Sequence, residues 1–146
     1  MRYFPESLLN SEVKHLYVKG IDAMPVVIGS SDVGSLCLDT DQGIFLLASE
    51  YKEMPQEGDI QSWVMAEKLD QIPPEYDTEY VVEQPCQIRR FLREHDGRFV
   101  DGIELKQGEH YIYIFASENL IVTGSNTMQD DSSAVCFGYY PFEIRP

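Results

Sequence analysis

Basic residues are scarce in this chain. Eleven Lys and Arg stand against 25 Asp and Glu, a formal net charge of −14 over 146 residues. A field of that sign repels phosphate backbones, so direct nucleic-acid binding is not expected. Cysteine is equally sparse: Cys37, Cys86 and Cys136 lie about fifty residues apart. An odd number with no close pair excludes both a disulfide framework and a zinc-finger spacing. Leu36-Cys37-Leu38 and Val135-Cys136-Phe137 suggest reduced thiols buried as small hydrophobes. The three histidines, His15, His95 and His110, form no H-x-x-x-H or H-E-x-x-H pattern, so neither a metal nor any other cofactor is expected. No apolar stretch approaches the ~18–20 residues of a membrane span. Met1-Arg2-Tyr3-Phe4-Pro5-Glu6 has no basic run ahead of an apolar one, so the expectation is a cytoplasmic protein without a cleaved leader.

Catalytic signatures are missing too. There is no G-x-S-x-G elbow and no G-x-x-x-x-G-K-[ST] loop. Gly29-Ser30-Ser31-Asp32-Val33-Gly34 has suitable letters but lies between two apolar runs, where Ser, Asp and Gly read as a turn. Asp39 and Asp41 lack the rest of a calcium loop. With 25 acids, no single carboxylate pair stands out as an acid–base couple. The chain is therefore not read as an enzyme, although an unrecognised site is kept as an alternative.

What the chain does have is enough material for one domain, residues 1–146. Its 43% hydrophobic and 12% aromatic content is that of a globular protein. Leu16-Tyr17-Val18 reads as a strand. Pro25-Val26-Val27-Ile28-Gly29, Leu36-Cys37-Leu38 and Ile44-Phe45-Leu46-Leu47-Ala48, separated by Ser/Asp/Gly clusters, read as a three-stranded antiparallel meander. Residues 49–79 admit three readings. One is a helix capped by Asp59 through Ile60, Trp63 and Val64. Another is a strand with Trp63 and Met65 on one face. The favoured one is a loop with a short irregular element. Tyr80-Val81-Val82 reads as a short strand.

Pro85, followed by Ile88, Phe91, Leu92 and His95 at i, i+3, i+4 and i+7 and by Gly97, predicts an amphipathic helix. Tyr111-Ile112-Tyr113-Ile114-Phe115 alternates with period two and pairs with Leu120-Ile121-Val122-Thr123 across Ser117-Glu118-Asn119. Its aromatic stripe reads as packing beneath a helix rather than as a base-stacking platform, since the chain is not basic. A last strand is expected through Val135 to Tyr140. The expected fold is α+β: a single domain with a twisted antiparallel sheet and one or two helices.

The negative charge is concentrated. Residues 50–83 hold ten acids and only Lys52 and Lys68, over half of the excess in under a quarter of the chain. Solubility and steering of a basic partner explain this equally well. Under the second reading, the partner-binding candidates are Glu67, Asp70, Glu75, Asp77, Glu79 and Glu83, with Asp130 and Asp131 in a second polar loop.

Val26-Val27-Ile28-Gly29-Ser30-Ser31-Asp32-Val33-Gly34-Ser35-Leu36-Cys37-Leu38-Asp39, followed by Gly43 and an apolar strand, resembles the central hairpins of SUKH-type immunity proteins. Tyr80-Val81-Val82-Glu83-Gln84-Pro85 leading to Ile88 and Phe91-Leu92 is similar in spacing to that family's strand-to-helix segment. Val33 stands where the family has Gly, and Glu83-Gln84-Pro85 replaces its Asn-Ser-Ser cap. The resemblance covers residues 25–48 and 80–95 and implies a cytoplasmic bacterial protein that neutralises a toxin, commonly a nuclease, by direct binding and without catalytic residues. A nuclease is basic where it holds its substrate, which agrees with an acidic binding surface. The alternative within the binding class is a DNA mimic or general inhibitor that acts on many nucleic-acid proteins.

Overall fold

Period-two burial, not helical periodicity, governs this chain in its computed structural model. The structure describes residues 3–19, 30–33, 35–54, 59–93, 102–108, 110–117, 120–125 and 143–145. After a 3-10 turn at Glu6–Leu8, the strands are β1 (Val13–Val18), β2 (Ser30–Val33), β3 (Ser35–Thr40), β4 (Gly43–Met54), β5 (Asp59–Leu69) and β6 (Thr78–Tyr80). They continue with β7 (Cys86–Arg93), β8 (Gly102–Gln107), β9 (His110–Ser117), β10 (Leu120–Ser125) and β11 (Glu143–Arg145). All named pairings are antiparallel. They build a five-stranded sheet, β5-β4-β3-β1-β6, and a six-stranded sheet, β11-β7-β8-β9-β10-β2.

The expected α+β class is overturned: among the described residues the fold is all-β, and no helix reaches seven residues. The predicted helix beginning at Pro85 is strand β7. Its helical spacing has a specific origin. Ile88 pairs with Leu105 and Arg90 with Glu104, so Arg89 is an extra residue in the ladder, a β-bulge. Before the bulge, Cys86 and Ile88 are buried two apart; across it, Phe91 is buried three further on. A bulged strand thereby imitates the i, i+3 step of a helix. Strand β1 does the same: Lys14 is extra, and Val13, Leu16 and Val18 are buried at spacings of three and two. The helix that the SUKH resemblance implied over this segment is absent for the same reason. His95 and Gly97, its expected C-terminal end, lie outside the described residues.

Two sheet corners correct the meander. Ser30–Val33, read as a turn, is an edge strand paired with β10 in the larger sheet, and the chain continues directly into β3 in the smaller one. The second corner precedes β1. There, residues 10–12 lie along β7: Asn10 N–H donates to the Ile88 carbonyl (2.7 Å), Ile88 N–H donates to the Ser11 carbonyl (3.0 Å), and Glu12 bridges Gln87. Strands that change sheet in this way join the two layers into one sandwich. Residues 25–29 and the expected strand at 135–140 lie outside the described residues.

The consecutive hairpins are instead β3–β4–β5. The β3–β4 loop has two residues, Asp41 and Gln42. Thr40 Oγ1 donates to the Gly43 carbonyl (2.8 Å) and accepts from Gln42 N–H (3.1 Å). Gly43 has φ +124°, a conformation that disfavours any side chain. The favoured loop reading of residues 49–79 is also overturned: β4 runs on to Met54, and residues 59–69 are β5.

The core lies between the sheets. Leu16 and Val18, Leu36 and Leu38, Phe45 and Leu47, and Val64 face Ile88 and Phe91, Ile103 and Leu105, and Ile114, all buried. Phe4 closes one end, meeting Phe91 edge-on with ring centroids 5.2 Å apart. On β9 the isoleucine face supplies the core: Ile114 and Ala116 are buried and Ile112 packs against them. The side chains of Tyr111, Tyr113 and Phe115 lie outside the described residues.

Candidate functional site: an acidic strap across the outer sheet face

Strands β5 and β6 are opposite edges of the five-stranded sheet, yet only residues 70–77 separate them in sequence. Four strand-to-strand steps of about 4.8 Å make a distance of about 19 Å, within the ~26 Å that eight extended residues reach. The connection must therefore cross a face of the sheet. Side-chain contacts identify the outer one. In β3, Leu36 and Leu38 point to the core, so Ser35, Cys37 and Asp39 share the other side. Tyr76 lies against that side, its hydroxyl 2.5 Å from Ser35 Oγ. The Lys19 ammonium is 5.5 Å from the centre of the same ring, a cation–π contact.

The local sequence explains the path. Tyr76 N–H donates to the Pro73 carbonyl (3.0 Å), closing a four-residue turn with Pro74 at its second position, where its fixed φ is favoured. The turn directs Tyr76 inward, 7% exposed, and leaves Glu75 and Asp77 exposed on either side. Below the strap is Cys37, fully buried, its thiol pushed up to about 11, chiefly by burial and then by the charge of Glu75. Cys86 is also buried and pushed up to about 11 by burial, but it belongs to the inter-sheet core. Both are free, as expected; Cys136 lies outside the described residues.

Beside the strap, Trp63 and Met65 are buried on the outer face against Leu46 and Ala48, with Tyr3 stacked on Trp63 at 6.0 Å. At the β6 side, Glu79 accepts a close hydrogen bond from the His15 ring, and His15 stacks on Tyr17. The Tyr17 hydroxyl is shifted upward, first by burial and then by the charges of Glu79 and Asp39.

The sequence candidates divide. Glu67 on β5, Asp70, Glu75 and Asp77 on the strap, and Glu79 on β6 are all exposed and form a band from one sheet edge to the other. Glu83 is exposed but apart, at the end of β8, where its N–H donates to Gln107 Oε1 (2.8 Å). Asp130 and Asp131 lie outside the described residues. Sequence reasoning missed Asp39 as part of this face. It is half-buried in β3, opposite His15 in the ladder, and the alternation of Leu36 and Leu38 with Cys37 and Asp39 was the available signal. Asp41 has a structural use, accepting the Glu12 N–H at 3.0 Å.

On the opposite sheet, the bulge sets Arg90 beside Glu104, with Nε 3.6 Å from Oε1 and the carboxylate almost wholly buried. Among the described residues no three His, Cys, Asp or Glu side chains converge as a metal site would need, and no helix is long and apolar enough to cross a membrane. The chain matches no family model, no curated protein and no solved structure.

Proposed function

We propose that this domain is a binding protein whose acidic strap engages a basic protein partner, and that it neutralises that partner by occupying its surface. The observation that carries the reading is the exposed band Glu67, Asp70, Glu75, Asp77 and Glu79, held on a strap whose one buried side chain, Tyr76, anchors it to the sheet. Acids on an anchored segment bind with less ordering cost than acids on a loose loop. They also raise the encounter rate with a positive surface. The partner class follows the SUKH-type resemblance: a nuclease toxin, basic where it holds nucleic acid.

The test is stopped-flow association with the product of a neighbouring reading frame that encodes a basic nuclease-toxin domain; absence of such a frame counts against the proposal. Expected are a 1:1 complex, an association rate that falls steeply between 50 and 500 mM salt, as a ~10 Å screening length at 0.1 M implies, and a slower rate for Glu75→Lys/Asp77→Lys/Glu79→Lys with the fold intact. No complex, or a rate indifferent to salt and to the triple reversal, refutes the proposal. Capture of many unrelated nucleic-acid-binding proteins would replace it with phosphate mimicry.

A further inference from the structure

We propose that residues 70–77 open as a unit separate from the rest of the fold, with Tyr76 as the latch and Cys37 as the group uncovered. The strap takes part in no strand ladder, and none of its side chains belongs to the inter-sheet core. Its one buried residue is Tyr76. Segments with few buried apolar contacts open at a free energy well below that of global unfolding. The latch is compact: the Tyr76 hydroxyl on Ser35 Oγ, the Lys19 ammonium over the ring, and the Pro73–Tyr76 turn that aims the side chain.

Opening leaves the sheet whole, because β3 is paired on both sides by β1 and β4 and owes nothing to the strap. What it exposes is the outer face of β3. Cys37 lies there, fully buried and outside the inter-sheet core, whereas Cys86 lies inside that core. Burial is the main cause that holds both thiols unreactive, so each is alkylated only once its cover opens, and a difference in their rates reports that opening. Cys37 therefore reads strap opening, and Cys86 reads unfolding of the sandwich. Since the strap carries Glu75 and Asp77, the same motion displaces the acidic band, but the inference requires no partner.

The experiment is pulse alkylation of the full chain with N-ethylmaleimide in native buffer, with peptide-resolved mass spectrometry to separate Cys37 from Cys86. Cys37 is expected to react faster than Cys86. Tyr76→Phe and Ser35→Ala each delete the same hydrogen bond, and each should raise the absolute Cys37 rate about three- to tenfold, the effect of one net hydrogen bond. Equal rates for the two cysteines overturn the separate unit. A Cys37 rate unchanged in both variants overturns the latch. Ile103→Val weakens the core of the closed and strap-open states alike, so it should raise the Cys86 rate alone, and an equal rise at Cys37 overturns the separate unit.

Discussion

Deleting Arg89 tests the central correction to the fold. Arg89 is exposed, and it is the extra residue that lets Ile88 and Phe91, three apart, share the core side of β7. Without it Ile88 and Phe91 stand two apart, Arg90 still meets Glu104 and Phe91 still meets Ile103, so the straightened strand keeps both apolar side chains on the core side. In a helix the same deletion would swing Phe91 about 100° off the face of Ile88; Phe91 is 2% exposed and packs edge-on against Phe4, so that loss would resemble a buried Phe→Ala substitution, about 3–5 kcal/mol. Against a total of roughly 5–15 kcal/mol for a domain, a helix would be left marginal, whereas the strand gives up only the local bulge, about 1 kcal/mol. Arg89→Ala keeps the bulge and changes an exposed side chain, so its cost should stay within about 0.5 kcal/mol. Urea denaturation followed by far-UV circular dichroism distinguishes the two. At a slope of about 1.5–2 kcal/mol/M, the deletion lowers the midpoint by roughly 0.5–0.7 M, where a helix would lose about 2 M, and the substitution leaves it in place. A deletion that costs about 3 kcal/mol or more refutes the reasoning.

Two further outcomes follow from the outer face and the thiols. Tyr3→Ala removes the ring stacked on Trp63, the single tryptophan of the chain; it should cost about 0.5–1.5 kcal/mol in the urea midpoint and red-shift the Trp63 emission. Cys37 and Cys86 ionise near 11 in the folded state against 9.0 when unfolded, so the unfolded chain releases those protons first. Stability is then complete below pH 9 and falls as pH rises from about 9 to 11. Denaturation midpoints across pH 8–11 should show the decline, and Cys37→Ala and Cys86→Ala should each flatten it.

Where one face met the core and neighbours in sequence paired with each other, local pattern was enough. Leu16 to Val18 lies within β1, and β9 pairs with β10 from Ile112 opposite Ser125 to Ser117 opposite Leu120, as the two neighbouring apolar runs implied. The apolar surroundings of Cys37 correctly indicated a buried thiol. The concentration of acids in residues 50–83 was plain from composition, because charge needs no tertiary partner to be counted.

Other features depended on contacts that the local pattern does not encode. Strand β5 was obscured because Trp63, Val64 and Met65 are all buried: the inter-sheet core covers one face, and Tyr3 and the outer cluster cover part of the other, so polarity does not alternate. The bulge at Arg89 exists only relative to β8, and without that ladder its spacing is indistinguishable from a helix turn. Ser30 to Val33 has turn-forming residues, but pairing with β10, about ninety residues away, holds it extended. Thus composition by itself determined that the chain is acidic and where its acids are concentrated. Only the edge-to-edge crossing from β5 to β6 decided that Asp70, Glu75 and Asp77 lie on a strap over one sheet face, because strand order is set by pairings between residues far apart in sequence.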